Sequence, residues 1–113
     1  PLDDPGPEPG IDLQHGQTLT LGSYQFEVRH APGHTPGHVM FYCESEKALF
    51  SGDVIFNGSI GRTDLPGGSY DKLMQSIREQ VLTLPDDVRI FSGHMGETTV
   101  GVERRTNPFL LHG

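Results

Sequence analysis

Apolar and polar residues alternate early in the chain. Tyr24, Phe26 and Val28 are interleaved with Gln25, Glu27 and Arg29, the period-2 pattern of a strand with one buried face. Gln17–Leu21 reads as its partner, because Gly22–Ser23 between them suits a two-residue hairpin turn. Ala31–Gly37, with its prolines and glycines, reads as a loop. A second hairpin is predicted from the apolar runs His38–Cys43 and Lys47–Ser51 around Glu44–Glu46, and Asn57–Gly68 as a glycine-rich excursion. The period then becomes helical. Leu73, Ile77, Val81 and Leu84 share one face, with Met74 and Leu82 beside them. Ser69 is placed to cap this helix, Asp71 sits where the macrodipole favours an acid, and Pro85 is the predicted stop. Val88–Ser92 reads as a short strand, and Thr98–Thr106 as a short helix ended by Asn107–Pro108. Residues 1–16 show no period and read as a linker or loop. The expected class is α/β of the α+β type: a mainly antiparallel sheet with one long and one short helix.

The 113 residues suffice for one domain. With 15 glycines and 9 prolines, that domain is loop-rich but short of a disordered composition. A net charge of −7 argues against a nucleic-acid partner, which needs a cationic footprint. The single cysteine, Cys43, excludes an internal disulfide and an all-cysteine zinc site, and reads as a small buried hydrophobe. No apolar run approaches the ~20 residues of a membrane span, so no membrane partner is expected. Pro1–Gly10 is acidic and proline-rich, unlike a signal peptide, and the expected location is cytoplasmic. That opening, without a methionine, also leads us to expect a piece of a longer protein.

Candidate chemistry lies in three similar strand ends. Strand 24–30 runs into Pro32-Gly33-His34, strand 47–51 into Gly52-Asp53, and strand 88–92 into Gly93-His94. Glycine permits the sharp turn after each strand. Two imidazoles and a carboxylate suit zinc, iron or manganese, and a carboxylate can bridge two metals. His34, Asp53 and His94 are therefore candidate metal ligands. The competing reading is an ordinary turn aspartate between two surface or core histidines. His38 follows His34 in an H-x-x-x-H spacing, but Pro36 and Gly37 place it in a loop, where it is expected to bond backbone or support a ligand. His30 reads as structural, His15 and His112 as solvent-facing.

Ala31-Pro-Gly-His-Thr-Pro-Gly-His38, Phe50-Ser-Gly-Asp-Val-Ile-Phe56, Gly61-Arg-Thr-Asp64 and Phe91-Ser-Gly-His94 together resemble the second half of the metallo-β-lactamase superfamily. The nearest group is the glyoxalase II-like hydrolases, in particular a short bacterial type that ends near an Asn-Pro-Phe-Leu segment, here Asn107–Leu110. The likeness runs from about Thr18 onward. It implies the C-terminal half of an αββα sandwich with a metal site at one edge of its two sheets. By the same resemblance His34 completes the three-histidine set of a first metal, Asp53 bridges both metals and orients the attacking hydroxide, and His94 binds the second. Arg62 falls where the family carries a basic residue touching the thiol carrier; its competing reading is a surface arginine. The implied reaction is hydrolysis of a small-molecule thioester, with a glutathione thioester as candidate, by a hydroxide held on two zinc ions, or iron or manganese in their place.

The superfamily's His-x-His-x-Asp-His motif belongs to the preceding half and is absent here, as is the C-terminal helical segment of larger glyoxalases. The chain alone is therefore expected to be inactive or nearly so. Two alternatives follow. Gly61–Asp64 and Leu82–Pro85 also resemble the mono-iron persulfide dioxygenases, although His38 favours the hydrolase. A class B lactamase is disfavoured, because its most familiar subclass has cysteine where Asp53 stands. The other alternative is a non-catalytic half-domain, whose uncovered sheet face would drive self-association or pairing with the missing N-terminal half.

Overall fold

A computed structural model describes residues 13–93 and 96–112. The linker expectation for residues 1–12 lies outside the described residues. Strands β1 (Thr18–Leu21) and β2 (Tyr24–His30) form the first predicted hairpin, with Leu21 opposite Tyr24 across the Gly22–Ser23 turn. Strands β3 (Val39–Cys43) and β4 (Ala48–Gly52) form the second, joined by a 3-10 turn at Glu44–Glu46. The chain then leaves the sheet. It makes a small hairpin, β5 (Ile55–Phe56) and β6 (Ser59–Ile60), and crosses through helix α1 (Tyr70–Gln80). It returns as β7 (Arg89–Ser92) and β8 (Thr98–Thr99), followed by helices α2 (Val100–Thr106) and α3 (Pro108–His112).

The main sheet has the order β1-β2-β3-β4-β7-β8, with only β4 and β7 parallel. One face carries Met40, Tyr42, Leu49 and Ile90. It packs against Leu73, Met74, Ile77, Val81 and Leu84 from α1 and the turn after it. Burial raises the Tyr42 phenol above its ordinary range, with the neighbouring Glu44 charge adding to the effect. The opposite face carries Phe26, Phe50 and Phe91. The Phe50 ring stacks on Phe91 at 5.3 Å and meets Phe26 edge-on at 6.0 Å. Phe50 is 42% exposed. A groove of about 200 Å³ runs along these rings, with Tyr24, Cys43 and Ala48 also lining it. Cys43 is 1% exposed, as a small buried hydrophobe should be.

Several elements differ from the sequence reading. Helix α1 begins as predicted, with Ser69 Oγ accepting the Lys72 N–H at 3.2 Å. It ends at Gln80, five residues before Pro85. Its last carbonyls find other donors: Arg29 gives an N–H to the Gln80 carbonyl at 3.0 Å, and Thr83 Oγ1 donates to the Glu79 carbonyl at 2.8 Å. Val81 and Leu84 reach the core from the turn. Within the glycine-rich excursion, Ser59–Ile60 returns against Ile55–Phe56 as a strand pair around Asn57–Gly58. Finally, Thr98–Thr99 is a strand whose Thr99 Oγ1 caps α2 at 3.1 Å, and Pro108 begins a third helix beyond the stop at Asn107. Proline is at home there, because a first-turn N–H has no helical partner to lose. No helix among the described residues is long and apolar enough to cross a membrane.

The packing of α1 sets the stability of the sheet. Truncating fully buried Ile77 to alanine is expected to cost about 2–5 kcal/mol, and Ser69→Ala about 1 kcal/mol. Urea unfolding with an unchanged slope on denaturant checks both.

Candidate metal centre

β2, β4 and β7 all run in one direction, since antiparallel β3 separates β2 from β4 and β7 is parallel to β4. Their C-terminal ends therefore lie at one edge of the sheet. The loop after β2 is fastened to the start of α1. Ser69 N–H donates to the Gly33 carbonyl at 2.7 Å, and Ser76 Oγ to the Pro32 carbonyl at 2.8 Å. This loop presents His34. After β4, Gly52 takes φ of 57°, a left-handed turn that a side chain would strain, and Asp53 follows.

His34 and Asp53 meet at this edge, with Nε2 3.6 Å from Asp53 Oδ2. His34 Nδ1 lies 2.8 Å from the Arg62 carbonyl oxygen. A carbonyl only accepts, so Nδ1 carries a proton, and Nε2 is the ring nitrogen turned toward the carboxylate. The 3.6 Å separation exceeds a hydrogen bond and is within ion-pair reach. His38 stands behind them. Its Nε2 lies 3.3 Å from the Ser51 carbonyl, and its ring is edge-on to His34 at 6.0 Å. It thus bonds the backbone at the end of β4, as its loop position suggested.

The third strand end arrives as well. Gly93 N–H donates to the Gly52 carbonyl at 3.1 Å, and a methyl built on Gly93 would stand 3.6 Å from Asp53 Oδ1. His94 itself lies outside the described residues. Among the described residues, no three His, Cys, Asp or Glu side chains gather in a way that could hold a metal ion. An imidazole and a carboxylate are nevertheless donor types that borderline cations accept, and here Nε2 rather than Nδ1 of His34 faces Asp53. Two such groups would make only part of a coordination shell.

Arg62 has two parts with different partners. Its carbonyl holds His34. Its exposed guanidinium forks onto Asp64, with Nε to Oδ1 at 2.8 Å and a second bond at 3.0 Å to Oδ2. That hydrogen bonding holds the Asp64 carboxyl below its ordinary range. His30 is tied to the segment before β1: its Nε2 lies 3.1 Å from the Leu13 carbonyl, and its N–H donates to His15 Nδ1 at 3.1 Å. His15 is exposed as expected, and the side chain of His112 lies outside the described residues.

Sequence reasoning missed two contributors. The Arg62 main chain is one, and no residue-type signal marks a carbonyl. Gly61 is the other. It is buried, and a methyl placed on it would overlap the Asp53 carbonyl oxygen and come within 3.5 Å of His34 Nδ1. Its place in the run Gly61-Arg62-Thr63-Asp64 was noted, but its contact with Asp53 needs the fold.

The sequence model of the Metallo-beta-lactamase superfamily matches residues 1–94. The hydroxyacylglutathione hydrolase GloC of Haemophilus influenzae is 52% identical over 97 residues, which are 86% of this chain and 46% of that protein. Among solved structures, the B3 metallo-beta-lactamase BLEG-1 superposes with a TM-score of 0.84 at 48% identity, covering 89% of this chain and 48% of the other. The di-iron-bound form of TTHA1623 gives a TM-score of 0.81 at 46% identity, covering 92% and 50%. The chain spans about half the length of the curated relatives it matches.

Gly61→Ala should push the β6 exit away from Asp53. The expected result is a loss of about 1–3 kcal/mol in unfolding free energy, together with shifted NMR signals from the His34 ring.

Proposed function

The chain belongs to the metallo-beta-lactamase superfamily, and on that premise we propose that it is the C-terminal half of a metal-dependent thioester hydrolase of the hydroxyacylglutathione type. The observation that carries this reading is the meeting of His34 Nε2 and Asp53 Oδ2 at the common end of β2 and β4. The 52% identity to the Haemophilus hydrolase favours the thioester class. His34, Asp53 and His94 are the proposed ligands from this half. Zinc is the proposed metal, with iron the alternative, given the di-iron relative.

When bound, such a metal supplies Lewis acidity and lowers the pKa of a water toward ~7. The chain's own residues do the rest. Asp53 orients the attacking water and accepts its proton at a carboxylate oxygen. The Arg62 carbonyl keeps the His34 proton on Nδ1, so that Nε2 stays a ligand. The Arg62 guanidinium is exposed enough to exchange Asp64 for a carboxylate of the thiol carrier. A thiol leaving group, with a pKa of about 8.5 by analogy with cysteine, departs without a strong acid.

The Phe26–Phe50–Phe91 face completes the proposal. It is covered by the remaining half of the protein, or by a second copy when that half is missing. An exposed stripe of stacked rings in contact with water favours such cover.

Two measurements test this. In the longest open reading frame that carries this sequence, Asp53→Ala should lower kcat/KM for S-lactoylglutathione by at least about 100-fold, beyond the 10–100-fold typical of groups that support a ligand. Metal analysis of the same protein should find the metal depleted. Oxygen uptake with glutathione persulfide, without thioester turnover, would replace the hydrolase by a dioxygenase. The 113-residue chain by itself should self-associate in light scattering, and Phe50→Ser should weaken that association. A monomer that binds no apolar dye would contradict the covered-face reading.

A further inference from the structure

Glu103 is a carboxylate with no exposed surface, placed one turn into the short helix α2. Nothing in the chemistry above uses it. Burying a carboxylate is costly unless its oxygens are hydrogen-bonded, and the partners described for Glu103 are three neutral donors. Oε1 accepts from the Gly58 N–H at 2.9 Å and from Asn107 Nδ2 at 2.9 Å, while Oε2 accepts from Thr98 Oγ1 at 2.6 Å. Asn107 Nδ2 also donates to the Ser59 carbonyl at 3.1 Å, and its Oδ1 accepts the Phe109 N–H at 2.9 Å. One acid and one amide thus bind both sides of the Asn57–Gly58 turn to β8, α2 and α3.

That turn leads straight to the candidate metal centre. From Ser59 and Ile60 the chain passes to Gly61, whose N–H donates to the Val54 carbonyl at 3.0 Å, and then to Arg62, whose carbonyl receives His34 Nδ1 at 2.8 Å. The clamp and the histidine sit at opposite ends of one short hairpin. A hydrophobic side chain at position 103 would leave the Gly58 N–H without its carboxylate acceptor inside the protein, and the hairpin could then shift.

We propose that Glu103, together with Asn107, is a positioning residue for the metal centre. It anchors the β5–β6 hairpin so that the Arg62 carbonyl holds the proton of His34 on Nδ1 and leaves Nε2 facing Asp53. Its purpose rests on the metal-centre reading above, but its geometry does not, and the test needs no metal and no substrate. A failed thioester assay would leave it standing.

The test is NMR of the ring nitrogens and ring N–H of His34 in the 113-residue chain. In the unaltered chain, His34 should show a single Nδ1–H tautomer, and its ring proton should share one protection factor with the Gly58 and Gly61 amides. Glu103→Gln keeps an acceptor oxygen for Gly58 and Asn107, so it should preserve that pattern within about threefold. Glu103→Leu removes the acceptor and should speed exchange of the His34 ring proton at least tenfold and mix the tautomers, with the sheet amides still protected. A Leu variant that stays folded and leaves the His34 signals unchanged would reduce Glu103 to a purely structural role and overturn the proposal. If the Leu variant does not fold, the unaltered chain still decides: a His34 ring proton protected at least tenfold less than the Gly58 amide would show that the clamp does not control it.

Discussion

The parallel pairing of β4 with β7 is the constraint from which the rest follows. Parallel neighbours cannot be joined by a tight turn, so the segment between Gly52 and Arg89 must leave the sheet and come back on one face. It does so through the β5–β6 hairpin, a glycine-rich stretch and α1. Two consequences follow. Both strands finish at the same edge, where Gly93 meets the Gly52 carbonyl. The returning helix also buries the apolar residues of β3, β4 and β7, and it holds the loop after β2 by its first turns. The core and the edge that carries His34 and Asp53 are built by one excursion.

The two faces of the sheet have different fates. The helical face is packed with aliphatic side chains, methionines and Tyr42. Arg29 shows the economy of the boundary. Its guanidinium caps the Gln80 carbonyl, pairs with Glu27 at 2.9 Å and lies 5.1 Å from the centre of the Tyr42 ring. The other face ends in phenylalanines stacked on one another with an arginine, Arg89, 5.2 Å over the last ring. The sheet edge that carries His34 and Asp53 lies between these two surfaces. A centre placed there can draw ligands from whatever covers the aromatic side as well as from the strands beneath.

Much of this was legible in the sequence. Alternation in Tyr24–Arg29 and the Gly22–Ser23 pair located the first hairpin, and the spacing of Leu73, Ile77 and Val81 located α1. The similarity of Ser51-Gly52-Asp53 to Ser92-Gly93-His94 suggested two strands ending alike, and Gly52 and Gly93 do end side by side, while His94 lies outside the described residues. The helix end after Gln80 was not legible. It depends on Arg29, far off in sequence, reaching the last carbonyl. The third helix was hidden because Pro108 reads as a stop from one side and as a start from the other. The buried acid was hidden too: Glu103 follows Val100-Gly101-Val102 and precedes two arginines, where an exposed position is the ordinary expectation. Only the arrival of Gly58, Thr98 and Asn107 makes burial tolerable there.

The bond between His34 and residue 62 is made by main chain. Every amino acid supplies the same oxygen at that position, so the orientation of the imidazole is indifferent to what side chain stands there. The side chain at 62 is thereby released to pair with Asp64 without disturbing the imidazole. The charge at this corner can change by substitution without unseating His34, which gives a single short segment both permanence and latitude.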